Sequence, residues 1–189
     1  MRKLLASLLL LAALPMSAQK IIIDDVQHGI RSTATDQTVC RNSTDKMVLS
    51  VGLSSMISDE KKDTTLCIDT KISFGKPMEI SKGGTMLLKL SDNSVIELHA
   101  IIASEGKVRD IHTVNGFTFS DYSIRPSFEV TPEQLGDIIA KGVKKIRIEV
   151  SPDFYDKEFK KDKVGAALAE KKSVLLNAIA KPKSMREGF

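Results

Sequence analysis

Three histidines, two cysteines and a few acidic pairs are the residues of this 189-residue chain whose types could do chemistry. His28, His99 and His112 stand far apart, with no HExxH pairing and no CxxC, so local spacing builds neither a zinc protease nor a structural zinc site. His99 lies between Leu98 and Ala100 and reads as an outward-facing strand residue. There is no GxSxG nucleophile elbow and no GxxxxGKS/T phosphate loop, and Gly83-Gly84 reads as a turn before a strand. Asp24-Asp25 and Asp59-Glu60 supply paired carboxylates, and glycosidases hold two carboxylates about 5 to 9.5 Å apart across a sugar. A chain with 24 acidic residues offers such pairs by chance, so both are read as solvated loop charges. No residue receives a catalytic, cofactor-binding or metal-binding role from spacing.

The elements that must position any site are mostly strands. Met47, Leu49, Val51 and Leu53 alternate with polar or small residues, as do Leu66, Ile68, Ile72 and Phe74, the period of two that aims side chains at opposite faces. Both are expected to be half-buried strands, joined antiparallel through the polar stretch Ser58 to Asp63. Met86, Leu88 and Leu90, a turn at Ser91-Asp92-Asn93-Ser94, and then Ile96, Leu98, Ala100 and Ile102 predict a hairpin. Further strands are expected near Ile21 to Val26, Thr33 to Cys40, Val108 to Ser120 and Tyr122 to Val130. Phe117, Phe119, Tyr122 and Phe128 cluster in this last stretch and read as core filling.

The pattern then changes to helix. Thr131-Pro132-Glu133-Gln134 offers an N-cap, a proline at the first helical position and a capping-box glutamine, and Gly142 marks the end of a short helix near 131–141. Ile146, Ile148 and Val150 alternate with charged residues as a strand, and Val164, Leu168, Leu175 and Ile179 mark a closing helix near 162–180, stopped by Pro182. Short strands followed by helices predict a mainly β (α+β) fold: an antiparallel β-sandwich or curled sheet with two helices. The first 130 residues offer no helices between strands, which argues against a doubly wound nucleotide-binding fold.

Cys40 and Cys67 would bridge only if their Cα atoms came within about 7 Å. In a simple meander Cys40 lies opposite about residue 46 and Cys67 opposite about residue 54, some 25 Å apart at about 3.3 Å per residue. Free thiols are expected.

The N-terminus addresses the chain. Arg2 and Lys3, an apolar run from Leu4 to Leu14 and small residues at Ser17 and Ala18 form a secretory signal over residues 1–18, cleaved before Gln19. A run of eleven residues falls short of the roughly 20 that span a bilayer. No later segment is a transmembrane candidate, and no cysteine near the cleavage point invites lipid attachment. Residues 19–181 are expected to form one β-rich domain, and 182–189 a disordered tail. The mature chain carries a net charge of +2, with +6 over residues 141–189 and −4 over residues 19–140. Aromatics make up only 5% and do not interleave with basic residues, which argues against nucleic acid as a partner; the same scarcity argues against stacking sugars.

The signal ending in SAQ, the stretch GGTMLLKLSDNSVIEL and the run FTFSDYSIRPSFEVTPEQLGDIIAKGVKKIRIEV with its closing helix resemble the small exported proteins of unknown function common in Bacteroidota, over roughly residues 80–180. The resemblance implies a periplasmic or extracellular protein and carries no catalytic residues across. Asp63-Thr64-Thr65 resembles the three-residue O-glycosylation signal of exported Bacteroidota proteins, which makes Thr64 the attachment residue. Two functions stay open: a non-enzymatic envelope or extracellular protein that binds a protein or glycan partner, and a small envelope hydrolase whose site is assembled only by the fold.

Overall fold

The structure, a computed structural model, describes residues 20–41, 48–58, 60 and 63–181. The expected signal and tail, Met47 and Asp59 lie outside the described residues. Along the chain run β1 (Ile21–Gln27), β2 (Ile30–Thr35), β3 (Thr38–Cys40), β4 (Val48–Ser58), β5 (Thr64–Phe74), β6 (Glu79–Ile80), β7 (Thr85–Leu90) and β8 (Val95–His99). There follow β9 (Ser104–Glu105), β10 (Lys107–Val114), β11 (Phe117–Ile124), β12 (Ser127–Glu129), α1 (Pro132–Lys141), β13 (Val143–Val150), β14 (Asp153–Glu158) and α2 (Val164–Ile179). The fold is mainly β, a curled antiparallel sheet with one short internal helix and one C-terminal helix.

The large sheet has the order β1-β2-β4-β5-β11-β10, with β3 on β4 and β12 on β5. Its two long central strands each share an edge between two short ones. β4 pairs β3 near Leu49 to Val51 and β2 from Ser54 to Ser58, while β5 pairs β12 over Cys67 to Asp69 and β11 over Ile72 to Phe74. A second sheet, β14-β13-β7-β8, contains the expected hairpin, with Leu90 and Val95 flanking the turn and Asn93 at positive φ.

β4 and β5 are more buried than alternation predicts. Leu49 to Leu53 are consecutively buried because α2 packs across β4 on one face while the other feeds the common core, and Ile72 to Phe74 of β5 are consecutively buried as well. That core is one cluster running from Leu49 and Ile72 through Phe128, Leu88 and Ile148 to Leu168 of α2. The expected hairpin strand stops at His99, and Ile102 is exposed rather than continuing the alternation. The stretch 33–40 is two strands, and 108–130 is three. In the latter, Asn115-Gly116, both at positive φ, turns the chain between Val114 and Phe117; His28-Gly29 does the same between β1 and β2. Two-residue loops with both residues at positive φ are the turns whose twist matches paired strands.

α1 begins as expected: Thr131 accepts from Gln134 N while Gln134 accepts from Thr131 N. α2 is capped by Asp162, whose carboxylate accepts from the backbone N–H groups of Val164, Gly165 and Ala166, and also of Val143 at the start of β13. Its buried stripe of Val164, Leu168 and Leu175 contains a charge, Lys171, with 2% of its side chain exposed. Lys171 Nζ donates to Asp36 Oδ1 at 2.7 Å. Arg31 reaches the other end of α2, donating to the carbonyls of Ala178, Ile179 and Lys181 while pairing with Asp24 at 3.0 Å. The N-terminal strands and the C-terminal helix are thus clasped by charges that all have partners.

Candidate functional site

The residues singled out in the sequence do not converge. His28 sits in the β1–β2 turn, His99 near Glu97 at 3.7 Å on β8, and His112 on β10. Thr64 is exposed at the start of β5. Asp24 and Asp25 lie in β1 rather than in a loop, Asp24 held by Arg31 and Asp25 bonded to Val26 N and Gln27 Nε2. Cys40 and Cys67 are free and buried. Cys40 stands opposite Leu49 and Cys67 opposite Ser54, so they flank β4 from opposite edges, five positions apart. That is about 17 Å along the strand, shorter than the meander suggested and still far beyond a bridge. Burial, aided by Asp162, pushes the Cys40 thiol up to about 11, and burial, aided by Asp69 and Glu129, pushes Cys67 up to about 12, so neither is a ready nucleophile. Among the described residues no group of three His, Cys, Asp or Glu side chains is arranged to hold a metal ion, and no helix is long and apolar enough to cross a membrane.

Two neighbouring features do form a surface. The first is the β10–β11 hairpin. β11 joins the large sheet only through Tyr122, Ser123 and Ile124, so Phe117 to Asp121 pair with β10 alone and the hairpin runs out from the sheet as a two-stranded arm. Ile111, Phe117 and Phe119 are 62%, 70% and 57% exposed. The expectation that the aromatic cluster fills the core holds for Phe128, which is fully buried, and in part for Tyr122, but fails for Phe117 and Phe119, which precede the point where β11 meets β5. On the arm His112 lies 3.3 Å from Asp121 and 3.5 Å from Asp110, half exposed.

The second feature is a cleft of about 530 Å³ at the root of the arm, walled by β5, the β9 segment, β10 and β11. Lys71, Lys107, Arg109 and Arg125 contribute four cations, with Glu105 as the one acid and Ser104 and Ser123 as hydroxyls. Arg125 falls opposite Lys71, since Ile124 pairs Ile72 and Ser127 pairs Asp69 in a single register. Arg109 is the extra residue of a β-bulge, between Val108 and Asp110, which pair with adjacent residues of β11. None of the four cations makes an ion pair among the described residues. Burial, then the charges of Arg125 and Arg109, hold the Lys71 ammonium below its ordinary range.

Spacing could not reveal this cluster. Its members span positions 71 to 125, inside the net-acidic part of the chain, and only the order β5-β11-β10 brings them together. The arm had a local signal in Asn115-Gly116, the dipeptide that most strongly marks a hairpin. No protein-family model, curated protein or solved structure matches this chain.

Proposed function

We propose that this is an exported, non-enzymatic binding protein of the periplasm or extracellular space that takes a protein partner through the β10–β11 arm. The carrying observation is the pair Phe117 and Phe119, exposed on a hairpin solvated along most of its length, where apolar side chains cost solubility and gain nothing for the core. β10 is also the last strand of its sheet among the described residues, so its outer edge faces no further strand there, although Ile111 N donates to Asp110 Oδ1. The bulge and the charges of Lys107 and Arg109 guard the root of that edge against pairing, whereas Ile111 to Val114 run in regular register beyond it. An extended segment of a partner would add there as a further strand, with Phe117 and Phe119, which share one face of the hairpin, as side-chain anchors. The signal-like N-terminus and the resemblance to exported Bacteroidota proteins support the compartment, and the exposure of Thr64 is compatible with glycan attachment there.

The test is capture by tagged mature protein, residues 19–189, from envelope extract, beside the double variant Phe117→Ser/Phe119→Ser. A stoichiometric protein retained by the wild type and lost by the variant is expected. Recovery of a glycan or peptidoglycan fragment that is cleaved on incubation would overturn this reading in favour of a hydrolase.

A further inference from the structure

We infer that the cleft at the root of the arm is an anion-binding site that takes a phosphate-bearing ligand with two or more negative charges. The inference rests on the placement of charge. In an antiparallel sheet the residue directly across from a lysine is where a carboxylate gives cross-strand stabilisation and where a second cation is unfavourable. Across from Lys71 the chain places Arg125. The bulge then brings Arg109 into the same wall, beside Lys107. Four cations face one acid, Glu105, and none of the four is paired within the protein among the described residues. Nothing in the packing requires this: Arg109, Arg125 and Lys107 are exposed, and only Lys71 is half-buried.

The chemistry of the walls narrows the ligand. The net excess of about three positive charges is not neutralised by a single monoanion. Two guanidinium groups present planar forks that match phosphate oxygens two at a time, and lysine adds a point charge. Ser104 Oγ already accepts from Arg125 N at 3.1 Å, which leaves its own O–H as a donor toward the cleft. At about 530 Å³ the space falls in the range of small-molecule sites, roughly 300 to 1,000 Å³. Such a group could belong to a soluble phosphate ester or to a phospholipid headgroup, and the experiment separates these sources.

Titration calorimetry of the mature protein with pyrophosphate, at constant ionic strength set with sodium chloride, is the direct test. Saturable one-site binding is expected, at least 10-fold weaker in Arg109→Gln/Arg125→Gln and in Lys71→Met, and unchanged in Lys144→Gln, which removes an exposed charge from the second sheet. Co-sedimentation with vesicles of cardiolipin, whose headgroup carries two phosphates, against phosphatidylcholine vesicles, identifies the source. Vesicle binding lost in the arginine variant points to a headgroup, and pyrophosphate binding without it to a soluble ester. Absence of both pyrophosphate and vesicle binding overturns the inference, as does binding weakened equally by Lys144→Gln, which would reflect net charge alone. Thermal melts of the ligand-free variants guard against misfolding: they should melt no lower than the wild type. The site is independent of the proposed protein partner, since Phe117→Ser/Phe119→Ser should bind pyrophosphate normally, and either claim can fail alone.

Discussion

Two rows of charge on two sheets of this protein are built in opposite ways. On the second sheet Lys145 stands across from Glu158 and Arg147 across from Asp156, so each of these two cations faces a carboxylate on β14, while on its β7 side Lys145 stands across from Lys89. Arg147 donates to both oxygens of Asp156, Lys145 adds a contact at 3.0 Å, and the guanidinium lies 4.2 Å from the Phe154 ring centre. On the large sheet Lys71 stands across from Arg125, with Arg109 and Lys107 beside them and no ion pair among the described residues. Both rows are cross-strand and partly solvated, so solvent alone does not explain the difference. Between β13 and β14 opposites are matched and serve the fold; in the cleft at the root of the arm the four cations lack a carboxylate across from them, and the proposed phosphate ligand supplies the missing charge.

The contrast is sharpest where pairing matters most, under α2. Replacing Asp36 by alanine leaves Lys171 buried without its carboxylate, with an expected loss of about 3 kcal/mol in urea unfolding. Lys171→Met, which leaves a partly hydrated Asp36 and an apolar stripe, should cost under about 1 kcal/mol. Equal losses from both would mean that Asp36 acts mainly through its backbone contacts to Lys20. Next in size is Asp162, which caps α2 and ties it to β13. Asp162→Ala orphans several N–H groups at once and is expected to cost about 2 kcal/mol, with amide exchange rising at Val143, Val164, Gly165 and Ala166 if the cap is the cause.

The matched row has a pH signature. The Arg147 guanidinium, outweighing partial burial and joined by Lys145, holds the Asp156 carboxyl down to about 2. Its folded value lies below its unfolded one, so its contribution is complete above about pH 4 and is lost as pH falls toward 2, about 1 kcal/mol after solvent screening. The stability gap between wild type and Asp156→Asn should therefore close over that window. A gap that stays constant would contradict the assignment to this ion pair.

How much of this could be read beforehand differs by region. The capping box at Thr131, the hairpin around Ser91 to Ser94 and the alternation of Ile146, Ile148 and Val150 were legible because each is local: a cap, a turn and a period of two act within a few residues. Asn115-Gly116 was equally local, and taking 108–120 as one strand hid the arm. The rest required tertiary order. Lys171 looks like an ordinary solvated residue until Asp36, 135 positions away, meets it. The cationic cleft depends on β11 and β12 sharing one register along β5 and on a bulge at Arg109, neither of which leaves a mark in composition.

The most direct test is to give the unmatched row the partner it lacks. Arg125→Glu sets a carboxylate across from Lys71, and urea unfolding of the ligand-free protein should show stability raised by up to about 0.5 kcal/mol, while calorimetry with pyrophosphate shows binding abolished. A variant that unfolds more easily than the wild type and still binds pyrophosphate would contradict the account, placing Arg125 in the service of the fold.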